Sequence, residues 1–274
     1  MRLLLLLVSC ILITNTKAQT NSLPEKFAKD SGYFSSFDKT KIYYEVRGEG
    51  EPVLLVHGFI VNSNSWKGAA LYNDLLHEGY KVVILDMRGN GKSDKPHDSA
   101  AYENDAEAKD IMQLMDILKI NKYNVVGYSR GSIITARLLV LDKRVKNAVL
   151  GGMGADFTNP EWPRRKMFYR ALIGDPVPEL KGVVDYVQQQ HLDRLALAYL
   201  QKSQPSTSKE ELSKVQQPVL VISGDKDADN GSAGELAKLL ANSSVATTPG
   251  DHNHAASTPE FSKEVINFLK ENKY

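Results

Sequence analysis

A serine held at a tight corner between two glycines is the first feature of the chain that could do chemistry. Residues 125–133 read VVGYSRGSI, with Ser129 between Gly127 and Gly131. A serine hydroxyl is a weak nucleophile unless neighbouring groups activate it. The pattern G-x-S-x-G is typical of a serine exposed on a sharp turn between a strand and a helix. It predicts a nucleophile, provided that the rest of the chain supplies the strand, the helix and a base.

The segments on either side of Ser129 meet the first two conditions. Residues 123–126 predict a buried strand, and residues 132–141 predict a helix. Glycine flanks allow the strand and the helix to approach without Cβ clashes. The helix N-terminus would then offer backbone N–H groups and a partial positive charge to a developing oxyanion. We therefore predict the backbone N–H of Arg130 as one oxyanion-hole donor.

A general base is expected after the last strand of such a fold, in the chain order nucleophile, acid, histidine. The six histidines lie at positions 57, 77, 97, 191, 252 and 254. Only His252 and His254 follow the last predicted strand, 244–248. His252 directly follows Gly250 and Asp251 and is predicted as the base. His254 is the alternative.

The acidic partner of the base is expected just after the predicted strand 219–223. The sequence SGDKDAD follows there, with aspartates at 225, 227 and 229. A buried carboxylate would hold the imidazole tautomer and stabilise the imidazolium. Asp227 is predicted as the acid, while Asp225 and, more distantly, Asp156 are alternatives. Aspartate also favours ordinary turns, which is the competing interpretation of Asp225 and Asp229.

A second oxyanion-hole donor is expected in the loop that follows the predicted strand 53–56. That loop begins with His57, Gly58 and Phe59. The backbone N–H of Phe59 is the candidate donor. His57 is predicted to pack and to hydrogen-bond within the loop rather than to act as an acid or a base.

Short apolar runs alternate with longer amphipathic segments over most of the chain. The runs predict strands at 42–46, 53–56, 81–86, 124–128, 145–150 and 219–223. The amphipathic segments predict helices at 66–77, 104–118, 132–141, 232–240 and 259–269. Alternation of fully apolar strands with helices predicts an α/β fold, with a mostly parallel sheet covered on both faces.

One segment, from about residue 154 to about residue 212, contains no convincing buried strand. It shows a helical pattern at 183–200 and is predicted to be a helical cap inserted between two sheet strands. Its first part is basic. The basic cluster consists of Arg164, Arg165, Lys166 and Arg170, beside Trp162, Met167 and Phe168. It either forms a solvated face or favours anionic substrates or membrane contact.

Five motifs together make the chain resemble the α/β-hydrolase superfamily over residues 33–274. They are HGF (57–59), DMRGNGKSD (86–94), GYSRG (127–131), SGDKD (223–227) and PGDHNH (249–254). The resemblance implies the α/β-hydrolase fold with a Ser-Asp-His triad. It implies Asp227 as the acid, at the fourth position of G-x-x-D, and His252 as the base after a small-residue turn. It also implies that residues 86–94 form a structural turn that braces the site. In this turn Asp86 and Arg88 would make the bracing contacts, and Gly89 and Gly91 would allow the chain to turn.

The resemblance narrows the reaction but does not fix the substrate. Serine at the corner matches esterases, lipases, C–C bond hydrolases and cofactor-free perhydrolases, whereas dehalogenases and epoxide hydrolases of this fold carry aspartate there. The expected function is cleavage of carboxylic esters through an acyl-enzyme on Ser129. The alternatives are lactone, C–C bond or perhydrolase chemistry with the same triad, and a non-catalytic protein that binds a small ligand.

Composition argues against several other functions. The 274 residues carry 34 basic and 33 acidic side chains, a net charge of +1. No basic run with interleaved aromatics predicts nucleic-acid binding. The histidines are scattered, and no G-x-G-x-x-G motif opens a helix after the first strand, so neither a metal nor another cofactor is predicted. The expected partner is a small-molecule substrate; the oligomeric state is not predicted.

The first eighteen residues have the pattern of a secretory signal peptide. Arg2 precedes an apolar run at 3–13, and small or polar residues end at Ala18. We therefore expect cleavage after Ala18, a mature domain of residues 19–274, secretion or a periplasmic location, and no membrane contact afterwards. The minor alternative is a lipoprotein, because LVSC (7–10) resembles a lipidation signal at Cys10. Cys10 is the only cysteine, so its removal would leave no disulfide.

Overall fold

A computed structural model describes residues 29–273 of the chain. The predicted signal peptide and Cys10 lie outside the described residues. Residues 29–273 form one eight-stranded sheet. The strands are β1 (Lys29–Ser35), β2 (Lys41–Arg47), β3 (Pro52–Val56), β4 (Lys81–Asp86), β5 (Tyr123–Tyr128), β6 (Val145–Gly151), β7 (Val219–Gly224) and β8 (Ser243–Thr248). Their order in the sheet is β1-β2-β4-β3-β5-β6-β7-β8. Strand β2 pairs antiparallel with both β1 and β4, and all other neighbouring strands pair parallel.

Helices connect the parallel strands. The helices before β6 are α1 (Asn64–Lys67), α2 (Ala70–His77), α3 (Ala106–Ile117) and α4 (Arg130–Leu141). Between β6 and β7 lie α5 (Pro163–Ile173), α6 (Lys181–Gln189), α7 (Arg194–Lys202) and α8 (Lys209–Ser213). The last two are α9 (Ala233–Ala237) and α10 (Pro259–Glu271).

The sheet is covered on both faces because its central strands are apolar on both sides. In β3, Val53 and Leu55 pack with buried residues of α2 and α10. Leu54 and Val56, which point to the other face, pack with buried residues of α3 and α4. This arrangement confirms the predicted α/β fold with a mostly parallel sheet.

Two predicted helices are interrupted, and one strand was not predicted. The predicted helix 66–77 is broken because α1 ends at Lys67, and Ala69 is extended, with φ −90° and ψ 149°. The pattern at 183–200 corresponds to α6 and α7, and Asp193 caps α7 by accepting a hydrogen bond from the Ala196 N–H. Strand β1 (KDSGYFS) lies at the sheet edge, where a polar strand with a glycine gives no apolar alternation.

The sheet order sets the position of the site. Strand β3 pairs with β4 on one side and with β5 on the other. The connection after β3 leads to β4 and the connection after β5 leads to β6, so the two connections run in opposite directions along the sheet. A cleft at the carboxyl ends of the strands, beside this divergence, is the usual ligand site of open α/β sheets. The loop of His57 to Phe59 and the turn of Ser129 both start at this edge.

The helices α5–α8 occupy the segment for which a cap was predicted. A third apolar cluster, separate from the two sheet-facing ones, includes Leu172 of α5, Val187 of α6, and Leu197 and Leu200 of α7. Within residues 29–273, no helix is long and apolar enough to cross a membrane.

Candidate active site

The turn that holds Ser129 is sharp and depends on both glycines. Ser129 lies between β5 and α4 with φ 55° and ψ −124°, a conformation that side-chain-bearing residues rarely adopt. A Cβ on Gly127 would lie 2.3 Å from the carbonyl oxygen of Gly131, and one on Gly131 would lie 2.2 Å from that of Val56. The predicted role of the glycines, close approach of strand and helix, is therefore confirmed.

Hydrogen bonds to β6 support this turn. The Ser129 N–H donates to the Gly151 carbonyl at 2.8 Å. The Ser132 hydroxyl, one turn into α4, lies 2.7 Å from the same carbonyl and 3.0 Å from that of Gly127. Ser132 is fully buried, so these contacts satisfy a polar group that water cannot reach. The position of Ser129 is thus fixed by two adjacent strands.

Ser129, His252 and Asp227 form one hydrogen-bonded series. The distance from His252 Nε2 to Ser129 Oγ is 2.9 Å, and that from His252 Nδ1 to Asp227 Oδ2 is also 2.9 Å. Both distances suit strong hydrogen bonds. The structure therefore brings together the three residues that the sequence predicts for nucleophile, base and acid.

The Asp227 carboxylate is sheltered and remains ionised. Its side chain is only 3% exposed, whereas that of His252 is 16% exposed. Burial by itself would raise the pKa of Asp227, but the hydrogen bond and charge of His252 act in the opposite direction, with help from the Asp229 N–H. The net effect lowers the pKa of Asp227. An ionised carboxylate beside Nδ1 can stabilise an imidazolium.

The alternative candidates lie elsewhere. Asp225 is exposed, and its Oδ1 accepts a hydrogen bond from the Gly250 N–H at 2.9 Å, so it supports the loop that carries His252. Asp156 is exposed in a short turn after β6. The His254 side chain is 75% exposed and its Nδ1 lies 2.6 Å from Asp251 Oδ1. None of these side chains is in hydrogen-bond contact with Ser129 or His252 in the part of the chain that the structure describes.

The two predicted oxyanion-hole donors flank Ser129. A Cβ on Gly58 would lie 3.3 Å from Ser129 Cβ, which shows how closely the loop after β3 approaches the turn. Phe59 and Arg130 both line the cavity above Ser129. Across residues 29–273, neither the Phe59 nor the Arg130 backbone N–H donates to a protein acceptor. Two unused donors near a nucleophile suit an oxyanion.

His57 holds the loop after β3 in place. Its ring is 1% exposed, with Nδ1 lying 2.8 Å from the Gly58 carbonyl and Nε2 lying 3.1 Å from the Met87 N–H. Since a carbonyl can only accept and an N–H can only donate, Nδ1 carries the proton and Nε2 accepts. Burial lowers the pKa of His57, which keeps the ring neutral. This is the packing role expected for it.

The segment 86–94 braces the site from beneath. The Asp86 carboxylate accepts hydrogen bonds from the backbone N–H groups of Ser63 (2.8 Å) and Lys92 (2.7 Å). Arg88 is fully buried and makes a bidentate pair with Asp110 at 2.6 and 2.7 Å. Gly89 and Gly91 have positive φ angles of 81° and 51°. The structural roles expected for this turn agree with these contacts.

Two residues that were not predicted from the sequence, Tyr128 and Asn230, contact His252. The Tyr128 hydroxyl donates to the His252 carbonyl at 2.8 Å, and the two ring centroids are 5.4 Å apart. Burial and the charge of Asp227 raise the pKa of Tyr128, so the hydroxyl stays a donor. Asn230 is buried and its Nδ2 donates to the Gly152 carbonyl at 3.1 Å, 3.4 Å from His252 Nε2. Adjacency to Ser129 is a sequence signal for Tyr128, whereas Asn230 has none.

A buried ion pair lies directly behind the nucleophile. Arg130 and Glu107 are 3% and 4% exposed and form a bidentate contact at 2.6 and 2.5 Å. The Arg130 Nη2 also donates to the Leu200 carbonyl of α7 at 3.1 Å. The pair therefore connects α3, α4 and the helices between β6 and β7. Sequence patterns give no signal for it, because Glu107 reads as an ordinary helix-surface residue.

Removing one partner of this pair should destabilise the fold. Glu107→Ala would leave the Arg130 guanidinium buried without its carboxylate, and we expect the free energy of unfolding to fall by about 3–5 kcal/mol. Urea denaturation followed by circular dichroism measures this loss. Glu161→Ala, which removes the partner of Lys166 in an exposed pair, is the control and should change stability little. Similar losses in the two variants would contradict the expectation.

A cavity of about 670 Å³ opens above Ser129. Its walls come from the loop after β3, the strand ends and the helices between β6 and β7. Phe59 and Phe168 meet edge to face on one wall, with ring centroids 5.8 Å apart. The basic cluster is divided between two environments: Arg164 and Arg165 line the cavity, whereas Lys166 and Arg170 pair on the surface with Glu161 and Asp175.

The structure contains no obvious place for a bound metal. In the range 29–273, no group of three or more histidine, cysteine, aspartate or glutamate side chains is arranged to hold an ion. Ser129, His252 and Asp227 are joined in series by hydrogen bonds. Their geometry suits activation of the Ser129 hydroxyl by the imidazole.

Comparisons with known proteins support the α/β-hydrolase fold. A family model for the alpha/beta hydrolase fold matches residues 51–175. The chain is 26% identical to the non-heme chloroperoxidase of Streptomyces lividans over 280 residues, covering 87% of this chain and 99% of the relative. It superimposes on a bromoperoxidase from Bacillus anthracis with TM-score 0.72 and 25% identity, covering 88% of this chain and all (100%) of the other.

A solved enol-lactonase from Burkholderia xenovorans LB400 has the same fold. Its TM-score is 0.72 at 23% identity, with 87% of this chain and 100% of that chain covered. The sheet order, the strand–turn–helix around Ser129 and these likenesses lead to one conclusion: the chain belongs to the α/β-hydrolase superfamily.

Proposed function

We propose that the protein is a serine hydrolase that cleaves carboxylic esters through an acyl-enzyme on Ser129. The observation that carries the proposal is the hydrogen-bonded series from Asp227 through His252 to Ser129, with both distances at 2.9 Å. A serine with φ 55° at the mouth of a cavity, next to a ring nitrogen that can take its proton, is suited to nucleophilic attack. No metal or other cofactor is needed for this reaction.

In the first half of the reaction, Ser129 Oγ attacks the ester carbonyl carbon while His252 Nε2 takes the hydroxyl proton. The carbonyl oxygen becomes an oxyanion, which accepts hydrogen bonds from the Phe59 and Arg130 backbone N–H groups. Asp227 stabilises the imidazolium. The tetrahedral intermediate then collapses, the bond to the alkoxy oxygen breaks, and His252 returns the proton to the leaving alcohol.

In the second half, water replaces the alcohol. His252 Nε2 takes a proton from water, whose oxygen attacks the acyl carbon, and the oxyanion forms again at the same donors. Collapse releases the carboxylic acid, and Ser129 Oγ regains its proton from His252. The Tyr128 hydroxyl and Asn230 hold the His252 loop and ring in position throughout.

Labelling with a fluorophosphonate tests the proposal directly. The reagent phosphonylates an activated serine, and peptide mass spectrometry locates the adduct. We expect one adduct, on Ser129, and parallel loss of hydrolysis of a short-chain 4-nitrophenyl ester. An adduct on another serine, or no adduct with the ester left uncleaved, would overturn the proposal. The second result would favour a non-catalytic protein that binds a small ligand in the cavity.

A second candidate is perhydrolysis by the same residues. It is favoured by the names of the relatives, a chloroperoxidase and a bromoperoxidase. Hydrogen peroxide would replace water in the second half, attacking the acyl-enzyme so that a peracid leaves and Ser129 is restored. Comparing peracid formation with acid formation at fixed hydrogen peroxide separates the two. Lactone opening and C–C bond cleavage remain alternatives, and a panel of lactones and of substrates with a cleavable C–C bond separates them from ester hydrolysis.

We further propose that the protein is exported as a soluble enzyme. The motivation is the short apolar run that follows Arg2 and ends before Ala18. Expression of the full chain with its own N-terminus should yield exported protein that begins at Gln19, as read by N-terminal sequencing. A mature N-terminus at a lipid-modified Cys10 would contradict this and support a lipoprotein instead.

A further inference from the structure

Within residues 29–273, two arginines of the cavity wall, Arg164 and Arg165, have no acidic partner. Arg165, on the first turn of α5, is partly buried and lines the same cavity as Ser129. Its Nη1 donates to the Gln204 carbonyl at 3.1 Å and its Nη2 to the Lys202 carbonyl at 3.0 Å. Since a guanidinium has five N–H donors, these two bonds leave three N–H groups available. The carbonyls fix the guanidinium plane without neutralising its charge.

The lack of a carboxylate partner distinguishes Arg165 from Lys166 and Arg170 on α5. Over the described range 29–273, Arg165 makes no ion pair, whereas Lys166 pairs with Glu161 and Arg170 pairs with Asp175. The carboxylate of Glu161 acts on Arg165 only as a charge, without a hydrogen bond, and Lys166 already binds it. Burial lowers the pKa of Arg165, as expected for a cation with little compensation. The cavity therefore contains an oriented cation without a counter-ion.

Two glutamine side chains lie on the same wall. Gln201 and Gln204 are each 5% exposed and line the cavity. In the described part of the chain, neither side-chain amide hydrogen-bonds to a protein group, and neither is among the fully buried polar groups that lack a partner. Each amide therefore keeps access to the cavity, where it can hydrogen-bond to a bound molecule. Together with Arg165, these amides could provide a polar patch for one group of a bound molecule.

The charges of the remaining cavity residues favour an anion at this patch. Arg164 also lines the cavity, with its guanidinium 5.2 Å from the centre of the Phe168 ring, and has no ion pair within the described range. The opposing charge is Asp229, an exposed residue of the loop after β7. The Arg130 charge is satisfied by Glu107. Apart from the candidate catalytic residues and the paired Arg130, the cavity lining therefore carries two cations, Arg164 and Arg165, and one carboxylate, Asp229.

We propose that the substrates are esters that carry a separate carboxylate, and that Arg165 binds this carboxylate while Ser129 attacks the ester. The inference rests on the proposed ester hydrolysis and names its substrate class. The free N–H groups of Arg165 donate to the carboxylate, and the Gln201 and Gln204 amides bond to its oxygens or to polar atoms beside it. The apolar wall of Phe59 and Phe168 contacts the carbon chain.

Matched substrate pairs test the preference for charge. In the first pair the acyl group differs: mono-4-nitrophenyl glutarate against 4-nitrophenyl 5-methylhexanoate, in which an isopropyl group replaces the carboxylate. In the second pair the leaving group differs: 3-acetoxybenzoate against 3-isopropylphenyl acetate. We expect kcat/KM to favour the anionic member of at least one pair by about ten- to a hundredfold at low salt, and the ratio to fall as ionic strength rises.

Variants assign the preference to Arg165. In Arg165→Gln the ratio of anionic to neutral kcat/KM should fall at least about tenfold, while Arg165→Lys should keep part of it because the charge remains. Arg170→Gln, which removes an exposed cation of the same helix outside the cavity, is the matched control and should keep the ratio.

The possible failures are distinguishable. Hydrolysis of all four esters with no charge preference, or with the same ratio in Arg165→Gln as in the unchanged protein, would overturn the carboxylate inference and leave the proposed ester hydrolysis standing. Hydrolysis of none of the four would overturn the ester hydrolysis and this inference with it. Partial retention in Arg165→Lys shows that the loss in Arg165→Gln is not a folding defect.

Discussion

Ser129→Ala should reduce kcat for a 4-nitrophenyl ester by about 10⁴- to 10⁶-fold, with the fold intact. The change removes the Oγ that lies 2.9 Å from His252 Nε2 and leaves no atom that can form the acyl-enzyme. The turn itself should tolerate the methyl group, because the Ser129 Cβ is retained and the bracing bonds come from the Ser129 N–H and Ser132. Steady-state kinetics at saturating ester measures the loss.

A control at a neighbouring serine separates nucleophile loss from a change of the cavity. Ser65 also lies at the cavity, but its hydroxyl donates to the Asn62 carbonyl at 2.8 Å and does not contact His252. Ser65→Ala should therefore reduce turnover by less than about tenfold. Comparable losses in both variants would contradict the assignment of Ser129 as the nucleophile, and an unfolded Ser129→Ala protein by circular dichroism would contradict the expectation that the turn tolerates the change.

The sheet could be predicted wherever a strand is buried on both faces. The predicted strand 81–86 coincides with β4 (Lys81–Asp86), since a central parallel strand reads as one continuous apolar run. The same logic gives β3, β5, β6 and β7 to within one residue or so. It fails for β1, whose partner β2 is already antiparallel and whose outer edge is unpaired, so its sequence needs little hydrophobicity.

The positions of Ser129, Asp227 and His252 could be predicted because each follows a recognisable strand. Parallel strands bring their carboxyl ends to one edge of the sheet, so residues far apart in the sequence meet there. Their catalytic roles stay a prediction until activity is measured. The spacing could not give Asn230, since an asparagine in a loop carries no periodic signal, nor could it show that Glu107 faces Arg130.

The basic cluster at 164–170 shows what only the three-dimensional structure can decide. On sequence alone its members are equivalent, and both a solvated face and an anion preference fit them. The helical turn of α5 directs Arg164 and Arg165 toward the cavity, and directs Lys166 and Arg170 toward Glu161 and Asp175. A solvated face fits Lys166 and Arg170, whereas the proposed anion preference rests on Arg164 and Arg165, because successive helix positions face different directions.

Asp227→Asn should reduce turnover by about 10⁴-fold, the loss that this type of change causes in a serine protease with the same triad. Asparagine has the same size and can still hydrogen-bond His252. However, its NH₂ group can donate to Nδ1, which would place the imidazole proton on Nε2 and prevent that nitrogen from accepting the Ser129 proton. Loss of the ionised carboxylate also removes the charge that stabilises the imidazolium. Pre-steady-state acylation of Ser129 measures both effects.

Asp225→Asn is the matched control, two residues away in the same loop. The Asp225 carboxylate accepts one hydrogen bond from the Gly250 N–H at 2.9 Å, and an asparagine side-chain oxygen can accept it equally. Turnover should therefore fall by less than about tenfold. If Asp225→Asn were the crippling change and Asp227→Asn kept most activity, the acid assignment would be wrong by two residues. The contact of Ser129 with His252 would survive that result, because it depends on the turn after β5 and the loop after β8, and on neither aspartate as the acid.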